Sequence, residues 1–174
     1  MNTTDYTTAI DLGTHSIKIL ITEHGQKNQK SRILHALEIP SEGIRAGHII
    51  NSDKAAQCVK NAYEKITREY KKPIPDVVLA LGGIELASHN SKTGIAIERK
   101  DREIQEVHMD EVAEKAQNLF EEKYPNKKIL HAIPLKYIVD SKDMLGSPKG
   151  RFGEKLELKI LFVTIPENHY EAYM

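Results

Sequence analysis

Two β-rich runs near the start of the chain constrain its fold more than any other feature. The runs TTAID and SIKILITE lie within residues 7–23 and are separated by Leu12-Gly13-Thr14-His15. A short loop that contains glycine between two such runs predicts a β-hairpin. A third run, from Arg32 to Ile39, stops at Pro40. The chain is therefore predicted to begin as an antiparallel meander of three strands.

A helix is predicted after the meander. Asn51 and Ser52, which are good helix caps, follow the sequence SEGIRAGHII, which predicts a loop with Gly43 and Gly47 as its hinges. Behind them apolar side chains recur at helical spacing, namely Ala55, Val59, Ala62, Tyr63, Ile66 and Tyr70. Pro73 and Pro75 then predict the end of the helix, because proline cannot continue it.

The run from Val77 to Leu81 is continuously apolar and rich in β-branched residues. Such a run predicts a strand that is buried on both faces, as strands next to a helical crossover often are. The order β-β-β-α-β is therefore predicted for the first 81 residues.

A change of pattern at Gly82-Gly83 predicts a domain boundary. The elements expected beyond it are strands at 84–88 and 94–98, a helix at 109–124 and strands at 129–139 and 156–165. Pro166 suits the first turn of a further helix.

The composition of the chain excludes several classes of function. Lys and Arg number 25 against 25 Asp and Glu, so the basic excess typical of a nucleic-acid-binding surface is absent. One cysteine excludes a disulfide framework, and the eight histidines show no pair at metal-ligand spacing. Because no apolar run has membrane-spanning length and the first residues lack a signal-peptide pattern, a soluble, cytoplasmic protein is expected.

The first hairpin carries the best candidate site. Gly13 would let backbone N–H groups approach phosphate oxygens, Thr14 and Ser16 would supply hydroxyl groups, and Lys18 would offset phosphate charge. Asp11, at the end of the first strand, could hold Mg²⁺ through its water shell. The same residue types also occur in ordinary turns, so the pattern by itself leaves both interpretations open.

Four stretches in the same order carry a resemblance to a known family. AIDLGTHSIKILI resembles the first phosphate loop of the actin-like ATPases, and SEGIRAGHIINSDKAAQCVKNAYEKI is similar to a stretch of the bacterial cell-division family FtsA. PDVVLALGGIELASHNSKTGIAIERKDREI resembles the passage of FtsA from its first subdomain into its inserted one, and ILHAIPLKYIVD is close to a further FtsA pattern. The resemblance covers essentially the whole chain.

The resemblance implies an α/β fold. Residues 1–83 would form the first part of the actin-like (RNase H-like) subdomain 1A. Residues 84–162 would form the inserted SHS2-type α+β subdomain, 1C, with the order strand–helix–strand–strand. Residues 163–174 would return to 1A, where the sequence stops.

The resemblance also implies a function, that of an actin-like filament subunit that binds ATP with Mg²⁺. Its phosphate and metal positions would be Asp11, Gly13, Thr14, Ser16 and Lys18, with Asp11 reaching Mg²⁺ through water. The family links the FtsZ ring to the inner face of the cytoplasmic membrane at the division site. It also contacts late division proteins, and their docking surface is expected within the insert, at residues not identified by the motifs.

Three parts of the family have no counterpart in these 174 residues. They are the second ATPase half, the subdomain that receives FtsZ and the C-terminal membrane-binding helix. Because phosphoryl transfer needs groups from both halves of the cleft, the chain is expected to be an N-terminal fragment. Alone it should bind ATP weakly or not at all and should not turn it over, whereas the complete protein would be at most a weak ATPase.

Three alternatives stay open on the sequence alone. The pilus-assembly protein PilM shares the plan and begins with a similar hairpin, although the pattern of His131, Tyr137 and Asp140 favours FtsA. A sugar-kinase-type phosphotransferase on the same core is the second alternative, and a bare partner-binding module is the third.

Overall fold

The computed structural model describes residues 6–25, 30–71, 74, 77–83, 85–98 and 102–174. The chain divides into two compact units, one of residues 1–84 with 172–174 and the other of residues 85–171. The sequence placed the first boundary at Gly82-Gly83 and the end of the insert at residue 162. In the structure the second unit continues to residue 171, because its last strand runs unbroken to Pro166 and a helix follows directly.

The first unit is a four-stranded sheet with one long helix. Its elements are β1 (Tyr6–Leu12), β2 (Ser16–Glu23), β3 (Arg32–Pro40), β4 (Ile44–Arg45), β5 (His48–Ile49), α1 (Ser52–Tyr70) and β6 (Val77–Ala80). The sheet order is β3-β2-β1-β6, in which β1, β2 and β3 form the antiparallel meander and β6 runs parallel to β1. The predicted order of elements is confirmed, and the expected loop before α1 contains the small hairpin β4–β5.

Helix α1 covers one face of this sheet. Its buried residues pack against β2 and β3 in a core of Ile17, Ile19, Ile21, Leu37, Ala62 and Ile66. As predicted, Asn51 is the N-cap, and its side chain accepts a hydrogen bond of 3.0 Å from the N–H of Lys54. The helix ends with Lys71 in the left-handed conformation, at φ 58°. Pro73 and Pro75, which were predicted to end the helix, lie outside the described residues.

The prediction that β6 is buried on both faces is wrong for this chain. Val77, Val78 and Leu79 are 49%, 59% and 36% exposed. Strand β6 pairs along one edge with β1, but α1 packs on β2 and β3. Strand β6 is therefore more apolar than is usual for a strand whose side chains are this exposed.

The second unit is an antiparallel sheet covered by a helix. Its elements are β7 (Ala87–Ala96), α2 (Glu106–Lys123), β8 (Lys127–Val139), β9 (Lys142–Asp143), β10 (Lys155–Pro166) and α3 (Glu167–Tyr173), whose last two residues belong to the first unit. The sheet order is β7-β10-β8-β9. The helix formed by residues 106–123 contacts β7, β8 and β10.

The two short strands predicted between Ile84 and Glu98 are one continuous strand, β7. The expected break fell on polar residues that alternate along an extended backbone and pair with β10 throughout. Gly94 lies within this strand, where a Cβ atom would come within 2.9 Å of Glu157 Cγ. Gly94 therefore marks a close approach of the side chain of Glu157 within the strand.

Aromatic and aliphatic side chains fill the space between α2 and the second sheet. Phe120 and Phe162 lie with ring centroids 4.7 Å apart, beside the buried side chains of Val112, Leu158 and Ile160. Helix α2 begins three residues before the predicted start, at Glu106. None of the helices formed by the described residues is long and apolar enough to cross a membrane.

Candidate functional site

The turn between β1 and β2 has the tight geometry that its glycine predicted. The N–H of Gly13 donates a hydrogen bond of 3.1 Å to the backbone oxygen of Ser16, which closes the turn. A Cβ atom at position 13 would lie 2.8 Å from that oxygen, so a larger residue would open the turn. Residues 11–18, which comprise this turn and its flanks, are the hairpin predicted to bind phosphate and are called the phosphate hairpin.

Asp11 and Lys18 are directly opposite each other across the phosphate hairpin. Lys18 Nζ lies 3.8 Å from Asp11 Oδ2, and the two side chains are 54% and 52% exposed. Because side chains alternate along a strand, Lys18 and Ser16 lie on the face opposite Ile17, which points to α1. An exposed ion pair of this kind is worth about 0–1 kcal/mol, so the cation of Lys18 stays available to a stronger anion.

Thr14 is held by a residue far away in the sequence. Its Oγ1 accepts a hydrogen bond of 3.4 Å from the N–H of Gly47, in the turn between β4 and β5. The chain reverses there through two left-handed residues, Ala46 at φ 49° and Gly47 at φ 78°. The sequence indicated Gly47 as a hinge of the loop before the helix, but it gave no sign of the hydrogen bond to Thr14.

The β4–β5 turn also lies against the end of β6. A Cβ atom at Gly47 would come within 2.5 Å of the backbone oxygen of Gly82 and 2.6 Å of Gly83 Cα. The hydroxyl of Tyr173 donates a hydrogen bond to the backbone oxygen of Gly47. The glycines at 47, 82 and 83 were a signal for this close approach, whereas the sequence carries no signal for Tyr173.

A second acid beside Lys18 was also missed. In the register of β2 and β3, Glu38 is the partner of Lys18, so Lys18 lies between two carboxylates on neighbouring strands. The apolar side chains of Ala9, Leu20 and Ala36 border these charges in a shallow depression of the same sheet face. The alternation along β3 could have revealed Glu38 once its pairing with β2 was known.

The side chains of the phosphate hairpin could hold Mg²⁺ only through its bound waters. Within the described residues no three His, Cys, Asp or Glu side chains come together as a metal site. Mg²⁺ keeps several of its waters and commonly takes one or two carboxylates together with phosphate oxygens. Asp11, half exposed at the end of β1, suits that mode, and Lys18 would share the phosphate charge.

Apart from Tyr173, the described groups with clearly shifted pKa values belong to the second unit. Burial lowers the pKa of His89, whose ring packs against Phe120 and Tyr124 at centroid distances of 5.3 and 5.0 Å. The hydrogen bond between Lys149 and Glu106 at the start of α2 lowers the pKa of the carboxyl group. The ring of His89 therefore serves packing, and Glu106 and Lys149 form an exposed ion pair at the start of α2. The packing of His89 accords with the structural or surface role expected for histidines in this sequence.

Comparisons with known proteins agree with the motifs. Residues 83–164 match the family profile described as the SHS2 domain inserted in FtsA. The chain is 25% identical over 165 residues to the cell division protein FtsA of Bacillus subtilis (94% of this chain, 36% of the relative). It is 28% identical to FtsA of Streptococcus pneumoniae (91% and 34%) and 30% identical to FtsA of Neisseria meningitidis (91% and 37%).

A solved structure with the same fold is a chain of the PilM-PilN type IV pilus biogenesis complex. The TM-score is 0.59 at 12% identity, with 96% of this chain and 42% of that chain covered. The likeness shows an actin-like fold, in agreement with the alternative drawn from the sequence. The chain spans about a third of the length of the curated relatives it matches. Residues 83–164 therefore match the SHS2 domain inserted in FtsA, and the chain, which has an α/β, actin-like fold, is similar to FtsA proteins along about nine-tenths of its length.

Proposed function

We propose that this chain supplies the first phosphate hairpin and the inserted SHS2 domain of an actin-like subunit that binds ATP with Mg²⁺. In that role the nucleotide serves mainly as a switch for assembly into filaments. The filaments link the FtsZ ring to the inner face of the cytoplasmic membrane at the division site and contact late division proteins. The observation that carries the proposal is the phosphate hairpin on a chain similar to FtsA along nine-tenths of its length.

The chemistry of the hairpin supports the nucleotide part of the proposal. Gly13 keeps the turn tight, Thr14 and Ser16 bring hydroxyl groups to it, and Lys18 brings a cation. An approaching phosphate would compete with Asp11 for Lys18 across a gap of 3.8 Å, which is a loose ion pair. Asp11 would then be released to hold the water shell of Mg²⁺.

The test uses a chimaera, because a complete cleft needs the remaining two thirds of the relatives' length. Residues 1–174 replace the matching part of Bacillus subtilis FtsA, and isothermal titration calorimetry measures the Kd for Mg-ATP. A hydrogen bond to a charged group contributes about 1.5–3 kcal/mol, so Lys18→Ala should weaken binding at least tenfold. Arg32→Ala is the matched control, since Arg32 forms a similar cross-strand pair with Glu23 at 3.2 Å on the same sheet.

The control should bind Mg-ATP within twofold of the parent chimaera. Equal losses in the two variants would mean that the hairpin has no specific role in nucleotide binding. For the division role, the parent chimaera carrying a fluorescent tag should concentrate at midcell in Bacillus subtilis, and a uniform distribution would contradict that part of the proposal.

Two alternatives from the sequence have distinct tests. Transfer of phosphate from ATP to a small metabolite by the chimaera would favour a sugar-kinase-type enzyme. A chimaera that still assembles into filaments after both Asp11→Ala and Lys18→Ala would instead favour a partner-binding module whose hairpin binds nothing.

A further inference from the structure

Two hydrogen bonds join Tyr173 to the phosphate hairpin through a single residue. The phenol O–H of Tyr173 donates to the backbone oxygen of Gly47. The N–H of Gly47 donates to Thr14 Oγ1 at 3.4 Å. These two groups belong to the two peptide units on either side of the Gly47 Cα, so the bonds hold both peptide planes of the turn.

The two hydrogen bonds can fix the backbone at Gly47 because this residue is otherwise free to rotate. Its φ of 78° lies in the left-handed region, and the residue has no Cβ atom to restrict rotation. A side chain cannot provide the restriction, because a Cβ atom would come within 2.5 Å of the backbone oxygen of Gly82. The orientation of the Gly47 N–H therefore depends on the groups that hold its two peptide planes.

The direction of the second hydrogen bond determines what the Thr14 hydroxyl can do. A hydroxyl group has one proton to donate and lone pairs that accept. Because Thr14 Oγ1 accepts from Gly47, its own proton is directed elsewhere and can be donated to an anion. A phosphate oxygen requires a donor of this kind.

We propose that Tyr173 is a positioning residue of the phosphate hairpin: it acts through Gly47 to hold the Thr14 hydroxyl as a donor to a nucleotide phosphate. This inference rests on the proposed function and assigns a residue of that same site. Burial raises the pKa of the Tyr173 phenol, so the phenol keeps its proton and remains a donor at neutral pH. Tyr173 lies 126 residues beyond Gly47, at the end of the helix α3.

The first test needs no nucleotide. In the 174-residue chain, Tyr173→Phe removes the donor and keeps the ring, and NMR follows hydrogen exchange of the Gly47 amide. We expect that amide to exchange about fivefold faster, the factor that corresponds to one ordinary hydrogen bond. Tyr170→Phe is the matched control in the same helix, since the ring of Tyr170 lies 5.6 Å from Lys128 Nζ and makes its contact through the ring face.

The second test measures coupling to the nucleotide in the Bacillus subtilis chimaera. Tyr173→Phe should weaken Mg-ATP binding about fivefold, the same factor of one ordinary hydrogen bond, and Tyr170→Phe should leave it unchanged. In a Thr14→Val background, which lacks the hydroxyl, Tyr173→Phe should cause no further loss. A general structural defect would lower the affinity equally in both backgrounds, and that result would overturn the proposal.

The two proposals fail in different ways. An unchanged Gly47 exchange rate in Tyr173→Phe overturns the positioning role, whatever happens to nucleotide binding. Unaltered Mg-ATP binding in Lys18→Ala, by contrast, overturns the proposed nucleotide function.

Discussion

Replacing Gly47 by alanine should strongly destabilise the first unit. The substitution has two separate costs that the structure allows to be estimated. The first is conformational, because φ at Gly47 is 78° and an L-residue pays about 1–2 kcal/mol in the left-handed region. The second is steric, because the new Cβ atom would lie 2.5 Å from the backbone oxygen of Gly82 and 2.6 Å from Gly83 Cα.

The steric cost is large because the obstructing atoms belong to backbone and not to flexible side chains. Overpacking that forces a backbone shift costs about 1–3 kcal/mol. The free energy of unfolding of the first unit should therefore fall by about 2–5 kcal/mol in Gly47→Ala, the sum of the two costs. Urea unfolding followed by NMR signals assigned to each unit would measure this change separately from the second unit.

Two control variants separate the two costs. Gly146→Ala has a similar φ of 88° but no atom within 4 Å of the new Cβ, so the second unit should lose only about 1–2 kcal/mol. Gly82→Ala has neither feature and should leave stability within about 0.5 kcal/mol. If Gly47→Ala cost no more than Gly146→Ala, the reasoning that places the β4–β5 turn against the end of β6 would be refuted.

Two further predictions concern the second unit. Phe162→Ala, at a fully buried ring, should lower its free energy of unfolding by about 3–5 kcal/mol in urea unfolding, whereas Phe152→Ala, at a ring 68% exposed, should change it by less than about 0.5 kcal/mol. Similar losses in both variants would contradict the assigned core. Burial, together with Lys127 and Lys123, lowers the pKa of His89, so the folded unit binds fewer protons than the unfolded chain below about pH 6.5. The stability of the second unit should therefore fall as the pH is lowered from neutral through the folded-state pKa. The variant His89→Phe should remove this part of the pH dependence. If stability still fell with pH to the same extent in that variant, other groups would be its cause.

Much of the fold could be predicted because the relevant signals are local. The caps and apolar spacing of α1 lie within one helix, and the order of the meander follows from short runs and the glycine turn at Gly13. The break expected inside β7, at residues 89–93, was wrong because those residues are largely polar and their pairing with β10 leaves no local signal. Strand pairing decides whether such residues extend a strand, and pairing is not a local property.

The exposure of β6 illustrates the same limit. Its apolar residues indicated burial, yet whether a strand is covered depends on which elements lie over it. In this unit α1 packs on β2 and β3, so β6 is exposed although its residues are apolar. A prediction from composition assumes that every apolar strand has its covering layers.

The sequence by itself determined the residue types of the candidate site, because Asp11, Gly13, Thr14, Ser16 and Lys18 lie within eight consecutive positions. A hairpin brings such neighbours together through its own hydrogen bonds, whatever the rest of the chain does. Only the tertiary structure decided that Gly47 and Tyr173 hold the Thr14 hydroxyl and that Glu38 lies beside Lys18. Those contacts join residues that are distant in sequence, so they depend on how the strands pair and on how residues 172–174 pack within the first unit, which local sequence signals do not specify.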